Sequence, residues 1–187
     1  MKIIGINTSP RKESNSRIAL EKALETARNK GVSVKIYDLN NMNIRTCQAD
    51  EYCVEHEGTC VLNDDMQEIY KDIRDAYGII LATPIYMGNI SSLAKIFIDR
   101  LYAVMNNTDN YNVVGKKFSV IASQAAIDPA MYEYIKHNLE VSVDIFRGIG
   151  FDVEDVELLI GNSKEGVIKT KNDQMDKAVM VGNKIVR

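Results

Sequence analysis

Six residues with hydroxyl, amide or cationic side chains crowd into one short stretch, Ser9-Pro10-Arg11-Lys12-Glu13-Ser14-Asn15-Ser16. Donors and cations at this density suit an anion, above all a phosphate. The stretch lies between two patterned segments. Before it, Lys2-Ile3-Ile4-Gly5-Ile6-Asn7 is an apolar run of strand length. After it, Ile18, Ala19, Leu20, Ala23, Leu24 and Ala27 recur at helical spacing. The first N–H groups of such a helix lack internal partners, and its dipole favours negative charge there. Capping of the helix by Ser14 or Ser16 accounts for part of the same pattern. The two roles are compatible, and the loop alone leaves both open. It carries neither G-x-G-x-x-G nor G-K-[ST], so hydroxyls and backbone amides, rather than a glycine cradle, would hold a phosphate here.

Two more polar or aromatic stretches follow strand-like runs. Gly78-Ile79-Ile80-Leu81-Ala82 is continuously apolar, as in a strand buried on both faces, and ends in Thr83-Pro84-Ile85-Tyr86-Met87-Gly88-Asn89. Phe118-Ser119-Val120-Ile121-Ala122 ends in Ser123-Gln124-Ala125-Ala126. The elements that position these stretches alternate. Val32 to Tyr37 alternates like a strand after a stop at Gly31, residues 38–63 form a long irregular connection, and Asp64-Asp65-Met66 opens a helix in which Asp65 and Glu68 have capping-box spacing. Leu93, Phe97, Leu101 and Val104 mark a third helix, and residues 106–115 read as a loop. A helix is expected from Pro129 to Arg147, a fifth strand within Phe151–Ile160 and a last helix over Asn172–Val186.

Five strand–helix alternations imply an α/β fold, a three-layer sandwich with a five-stranded parallel sheet and helices on both faces. Ligands of such sheets sit at the carboxyl ends of the strands, at the switch point. Residues 8–16, 83–89 and 123–126 stand at such ends. A ligand with a phosphate tail and an aromatic head suits all three, and FMN is the obvious candidate.

The chain of 187 residues suits a single domain spanning 1–187, and its hydrophobic (45%) and charged (26%) shares are those of a globular protein. A net charge of -3 and the lack of a basic run give no reason to expect nucleic acid. No apolar stretch reaches the roughly 18 residues of a membrane span. Met1 to Ile6 is too short for a signal-peptide core, so a cytoplasmic location is expected. Three cysteines, an odd number, argue for reduced thiols over a disulfide framework.

The motifs together resemble the flavodoxin-like NADPH-dependent FMN reductase and iron-sulfur flavoprotein family. The likeness rests on Gly5-Ile6-x2-Ser9-Pro10-Arg11-x3-Asn15-Ser16, on Asp64-Asp65-Met66 shortly after a cysteine, and on Pro84-Ile85-Tyr86-x4-Ser91-x3-Lys95-x3-Asp99-Arg100. It implies that Ser9, Arg11, Ser14, Asn15 and Ser16 bind the FMN phosphate. It implies that Pro84, Ile85, Tyr86, Met87, Gly88 and Asn89 wrap the isoalloxazine ring and ribityl chain. Ser123, Gln124 and Ala125 would form the third side, although the glycine-rich turn usual there is missing. Lys95, Asp99 and Arg100 read as a helical pair plus a structural or dimer contact, with no catalytic role.

The activity so implied is an FMN-dependent NAD(P)H oxidoreductase, with electrons passing from a nicotinamide through bound flavin to a small-molecule or protein acceptor. The protein would be a homodimer or tetramer. A flavodoxin-like electron carrier without NAD(P)H activity is the alternative, and a flavin-free scaffold or sensor a third. No side chain is needed for acid–base work in the hydride step, so no catalytic residue is assigned. Cys47-x5-Cys53-x6-Cys60 departs from the four-cysteine motif of the iron-sulfur branch, with Asp50 where the second cysteine would stand. A cluster with Asp50 among its ligands, a zinc site with Asp50 or His56, and a former cluster loop that lines the flavin pocket or the dimer interface stay open, and no metal ligand is assigned. His56 and His137 read as surface residues.

Overall fold

The computed structural model describes residues 1–187. Its strands are β1 (Lys2–Asn7), β2 (Ser33–Asp38), β3 (Gly78–Tyr86), β4 (Asn89–Ile90), β5 (Lys117–Ser123) and β6 (Asp152–Leu159). Its helices are α1 (Asn15–Arg28), a short α2 (Tyr52–Glu55), α3 (Met66–Asp75), α4 (Ser92–Arg100), α5 (Pro129–Gly148) and α6 (Asn172–Lys184). The sheet runs β2-β1-β3-β5-β6, with all four pairings parallel. The five-stranded parallel sheet and the flavodoxin-like layering expected from the sequence are thus present. A sixth, two-residue strand, β4, pairs antiparallel with the end of β3. No helix is long and apolar enough to cross a membrane.

Alternate residues of each central strand face opposite layers. Ile3, Ile80 and Ala82 pack with Ala19, Leu20, Leu24, Ala178 and Val181 of α1 and α6. Ile4, Ile6, Ile79 and Leu81 pack with α3, α4 and α5 through Ile69, Ile73, Phe97, Ile135, Leu139 and Phe146. A strand buried on both faces has no polar side, which is why Gly78–Ala82 reads as a continuous apolar run. Apart from the hairpin turn, the chain proceeds outward from β1 to β2, then returns past β1 to β3, β5 and β6. The switch point therefore lies between β1 and β3.

Three local expectations change. β3 runs four residues past Ala82, through Pro84 to Tyr86. Its parallel pairing with β5 continues to Pro84 opposite Ser123. The Asp65–Glu68 capping box does not form, for Asp65 makes no side-chain cap. Asp64 Oδ1 accepts the Met66 N–H at 3.1 Å instead, and Asp65 accepts from Asn43 N–H. Glu68 is drawn to Lys35 at 2.6 Å. Finally, the irregular 38–63 connection contains α2 and one 3-10 turn at Leu39–Asn41.

Helix α6 lies against α1 with almost no separation at Gly182. A Cβ there would stand 2.2 Å from the Ala23 carbonyl oxygen and 2.8 Å from Thr26 Cβ. Backbone cannot yield as a side-chain tip does, so Gly182→Ala must push the helices apart. The expected net cost is roughly 1–3 kcal/mol, even though alanine gains up to about 1 kcal/mol in helix propensity. A lower urea midpoint would confirm this close approach, and a higher one would show that the helices have room.

Candidate cofactor site

The loop after β1 begins with a pair of anchors. Thr8 donates both its N–H and its hydroxyl to the Ala82 carbonyl, each at 2.9 Å. Asn7 Oδ1 accepts the Ser9 N–H at 3.3 Å, and Ser9 Oγ accepts the Arg11 N–H at 3.2 Å. Ser14 then caps α1, with extended backbone and its Oγ accepting the Arg17 N–H at 3.1 Å. The N–H groups of Ser14, Asn15 and Ser16 have no partner in the protein. These three residues are buried, yet they line a cleft. Unpaired donors at a helix start, beside the hydroxyls of Ser9, Ser14 and Ser16, are chemically suited to an anion.

Asn15 joins that site differently from the sequence expectation. Its Nδ2 donates to the carbonyls of Asn162 (3.3 Å) and Lys164 (2.8 Å), and its Oδ1 accepts the Ile168 N–H at 3.1 Å. The amide thus clamps the loop after β6, leaving only its backbone N–H for an anion. Arg11 makes no ion pair, whereas Arg17 is engaged by Asp38 and Glu21.

The other two strand ends meet this loop across a cleft of about 260 Å³. It gathers Ser9, Arg11, Ser14, Asn15, Ser16, Pro84, Ile85, Tyr86, Ser123 and Ala125. Gln124 is buried behind it, with its N–H on the Leu159 carbonyl at 2.9 Å. Met87, Gly88 and Asn89 do not line the cleft. They form the turn and return strand of a tight hairpin, in which Met87 (φ 48°) and Gly88 (φ 79°) both take positive φ. This is the two-residue turn that matches strand twist, and Met87 stands fully exposed at its tip. Sequence reasoning missed Asn162 and Ser163, which also line the cleft. They follow β6, a fourth strand end, and that position was the available signal.

Buried hydroxyls connect the 8–16 loop to the hairpin. Ser91 Oγ donates to the Thr8 carbonyl at 2.9 Å and caps α4 by accepting the Ala94 N–H at 3.2 Å. Thr83 Oγ1 accepts the Ser91 N–H at 3.2 Å. A larger groove of about 580 Å³ lies beside the 9–13 loop, where Ile18 is the one apolar residue lining it. A flat aromatic head needs apolar walls, so the smaller cleft, with Pro84, Ile85 and Tyr86, suits it better.

The cysteines lie elsewhere. Cys47, Cys53 and Cys60 are free and border a separate cavity of about 20 Å³ with Asp50, Tyr70 and Arg100. Arg100 is almost wholly buried and holds Asp64 through two bonds, at 2.6 and 3.1 Å. It also donates to the Arg45 carbonyl and, at 3.5 Å, to Cys60 Sγ. Burial by itself would raise the Asp64 carboxyl, but the Arg100 guanidinium and the Arg45 N–H hold it below the usual carboxylate range. Arg100 is therefore structural, as expected. Lys95 and Asp99 form the surface pair, and both histidines are exposed.

Removing the Ser91 hydroxyl should uncouple the two sides of the cleft. Ser91→Ala is expected to cost about 1–2 kcal/mol of stability. It should also speed amide exchange at Thr8 and Ala94 ahead of the sheet core. Unchanged exchange at Thr8 would show that the Ser91 network does not hold the loop.

A family model described as NADPH-dependent FMN reductase matches residues 1–138. An iron-sulfur flavoprotein of Methanosarcina thermophila is 39% identical over 127 residues, covering 66% of this chain and 65% of its own length. One of Methanocaldococcus jannaschii is 35% identical over 124 residues, covering 66% and 64%. The match thus spans slightly less than two thirds of these relatives. Among solved structures, an NAD(P)H:quinone oxidoreductase from Methanothermobacter marburgensis superposes with a TM-score of 0.80 at 20% identity, over 100% of this chain and 96% of that one. An FMN-dependent NADH-azoreductase from Bacillus anthracis, in complex with FMN, gives 0.72 at 14% identity over 100% of both chains. At such identities the structural likeness concerns the fold. The family match covers most of the chain, which therefore belongs to the NADPH-dependent FMN reductase family.

Proposed function

We propose that this protein is an FMN-dependent NAD(P)H oxidoreductase whose flavin-binding unit takes in residues 1–187. The observation that carries the reading is the convergence of three strand-end loops on one cleft, with unpaired N–H donors at the start of α1. The donor set suits a phosphate, and the Pro84–Tyr86 wall suits a ring. Bound FMN would supply the chemistry, accepting a hydride from the nicotinamide and passing electrons onward.

The chain's own residues bind and orient. The Ser14, Asn15 and Ser16 N–H groups, the Ser9 and Ser16 hydroxyls and the Arg11 cation hold the phosphate. Pro84, Ile85 and Tyr86 form one wall for the ring, and the Met87–Asn89 hairpin extends it. Ser123 and Ala125 close the third side, with Gln124 fixing that loop from behind. No proton transfer by a side chain is required. The free thiols support a reducing, cytoplasmic location.

The second copy of a homodimer has a natural seat on α5. Met131, Tyr134, Val141 and Ile145 stand exposed there, and with Asn138 they follow a three–four alternation. The stripe is centred on Asn138, with Met131 and Ile145 seven residues to either side. A stripe of this kind pairs with itself across a two-fold axis. A Cβ on Gly88 would stand 3.6 Å from Tyr134 Cε1, so the hairpin rests beside the stripe and the flavin cleft adjoins the interface.

Each part has a direct test. Ser9→Ala and Ser16→Ala should each remove a bond to a charged phosphate, costing roughly 1.5–3 kcal/mol, or about 10- to 150-fold in FMN affinity. Riboflavin, which lacks the phosphate, should bind these variants as it binds the wild type. Unchanged FMN affinity in both variants would remove the phosphate assignment. Anaerobic NADPH should bleach the flavin absorbance of the holoprotein. Flavin left oxidised by both NADPH and NADH would mark an electron carrier, and no visible band after FMN addition would leave a flavin-free protein. Val141→Glu with Ile145→Glu should convert a sedimenting dimer to monomer with the fold intact. A wild-type monomer at micromolar concentration would overturn the dimer.

A further inference from the structure

The segment around the cysteines keeps the outline of an iron-sulfur ligand loop. Cys47, Asp50 and Cys53 follow one another at three-residue intervals, the spacing at which cluster-binding cysteines recur, and Cys60 follows. All four border the same small cavity. Ala49 (φ 52°) and Glu51 (φ 58°) flank Asp50 in left-handed conformations, so the backbone coils about that position without a glycine to ease it.

The donor set does not complete a site. Four thiolates hold such a cluster, and this loop has three. No three cysteine, histidine or acidic side chains approach one another as metal ligands do. The Asp50 carboxylate turns back to accept the Tyr52 N–H at 3.1 Å. A hard carboxylate oxygen is in any case a poor partner for iron bound to sulfide. Arg100, the buried cation at the cavity wall, already has Asp64 as its counter-charge and needs no anionic cluster beside it.

We infer that the chain retains the outline of a cluster site but cannot close it, that Asp50 stands where the missing thiolate would be, and that flavin is its one redox centre. The last clause rests on the oxidoreductase reading above.

The test uses the full chain and its Asp50→Cys variant, each reconstituted anaerobically with ferrous iron, sulfide and a thiol reductant. Iron, acid-labile sulfide and released flavin are measured separately, so failure of the cluster argument and failure of the flavin reading stay distinct. The wild type should hold only background iron. Asp50→Cys should take up about four iron and four sulfide per chain, with a broad absorbance shoulder beyond the flavin bands. Asp50→Ser, equally small but without a thiol, should behave as the wild type. Cluster uptake by the wild type or by Asp50→Ser would overturn the inference. So would a folded Asp50→Cys variant that takes up none, because the scaffold itself would then be lost.

Discussion

The site depends on holding the ends of β1 and β3 at one level. Thr8 is tied to Ala82 by both backbone and side chain, and Ser91 is tied to Thr8 and Thr83. These groups are buried, so each lost partner would leave a polar atom away from water, which is costly. The hydroxyl of Ser91 also starts α4. One residue thereby fixes the height of the 8–16 loop, the root of the hairpin and the direction of a helix. The N–H groups at the head of α1 stay unpaired beside the cleft because the loop before them cannot relax to cover them.

A second constraint governs the long connection after β2. That segment buries little apolar surface of its own, and the Arg100–Asp64 pair anchors it to α4. Buried ion pairs add little net stability over apolar packing, but losing one partner is severe because the other charge stays buried. The pair therefore acts as a specification of shape. It places Cys60 against Arg100 and brings the Arg45 backbone to both charged groups. The lowered Asp64 carboxyl stays ionised from neutral pH well into the acid range, so this anchor is lost only as pH falls through that lowered value.

The surface near the cleft carries exposed apolar side chains. Met87 is presented on a turn whose positive φ favours asparagine or glycine, and Tyr86 is partly exposed beside it. The two-residue turn accounts for the positive φ, and the exposed Tyr86 and Met87 are what the proposed dimer through α5 would cover.

The amino-acid sequence by itself determined what depends on neighbours a few residues apart. The strand–loop–helix at 2–28, the Ser14 cap, the start of α5 at Pro129 and the doubly buried β3 are all written in periodicity and capping chemistry, which act over one or two turns. The tertiary structure decided which groups are spent and which are free. Asn15 and Ser16 look alike in sequence as phosphate donors, but the 162–168 loop takes the Asn15 amide, while the Ser16 hydroxyl meets only that of Ser14, at 3.4 Å. Asp64 and Asp65 are adjacent carboxylates, and only the approach of Arg100 makes Asp64 both anchor and cap. Asn162 and Ser163 enter the cleft because β6 lies beside β5. Hydrogen-bond partners more than a hundred residues apart are set by sheet order and helix packing, and no local pattern encodes them.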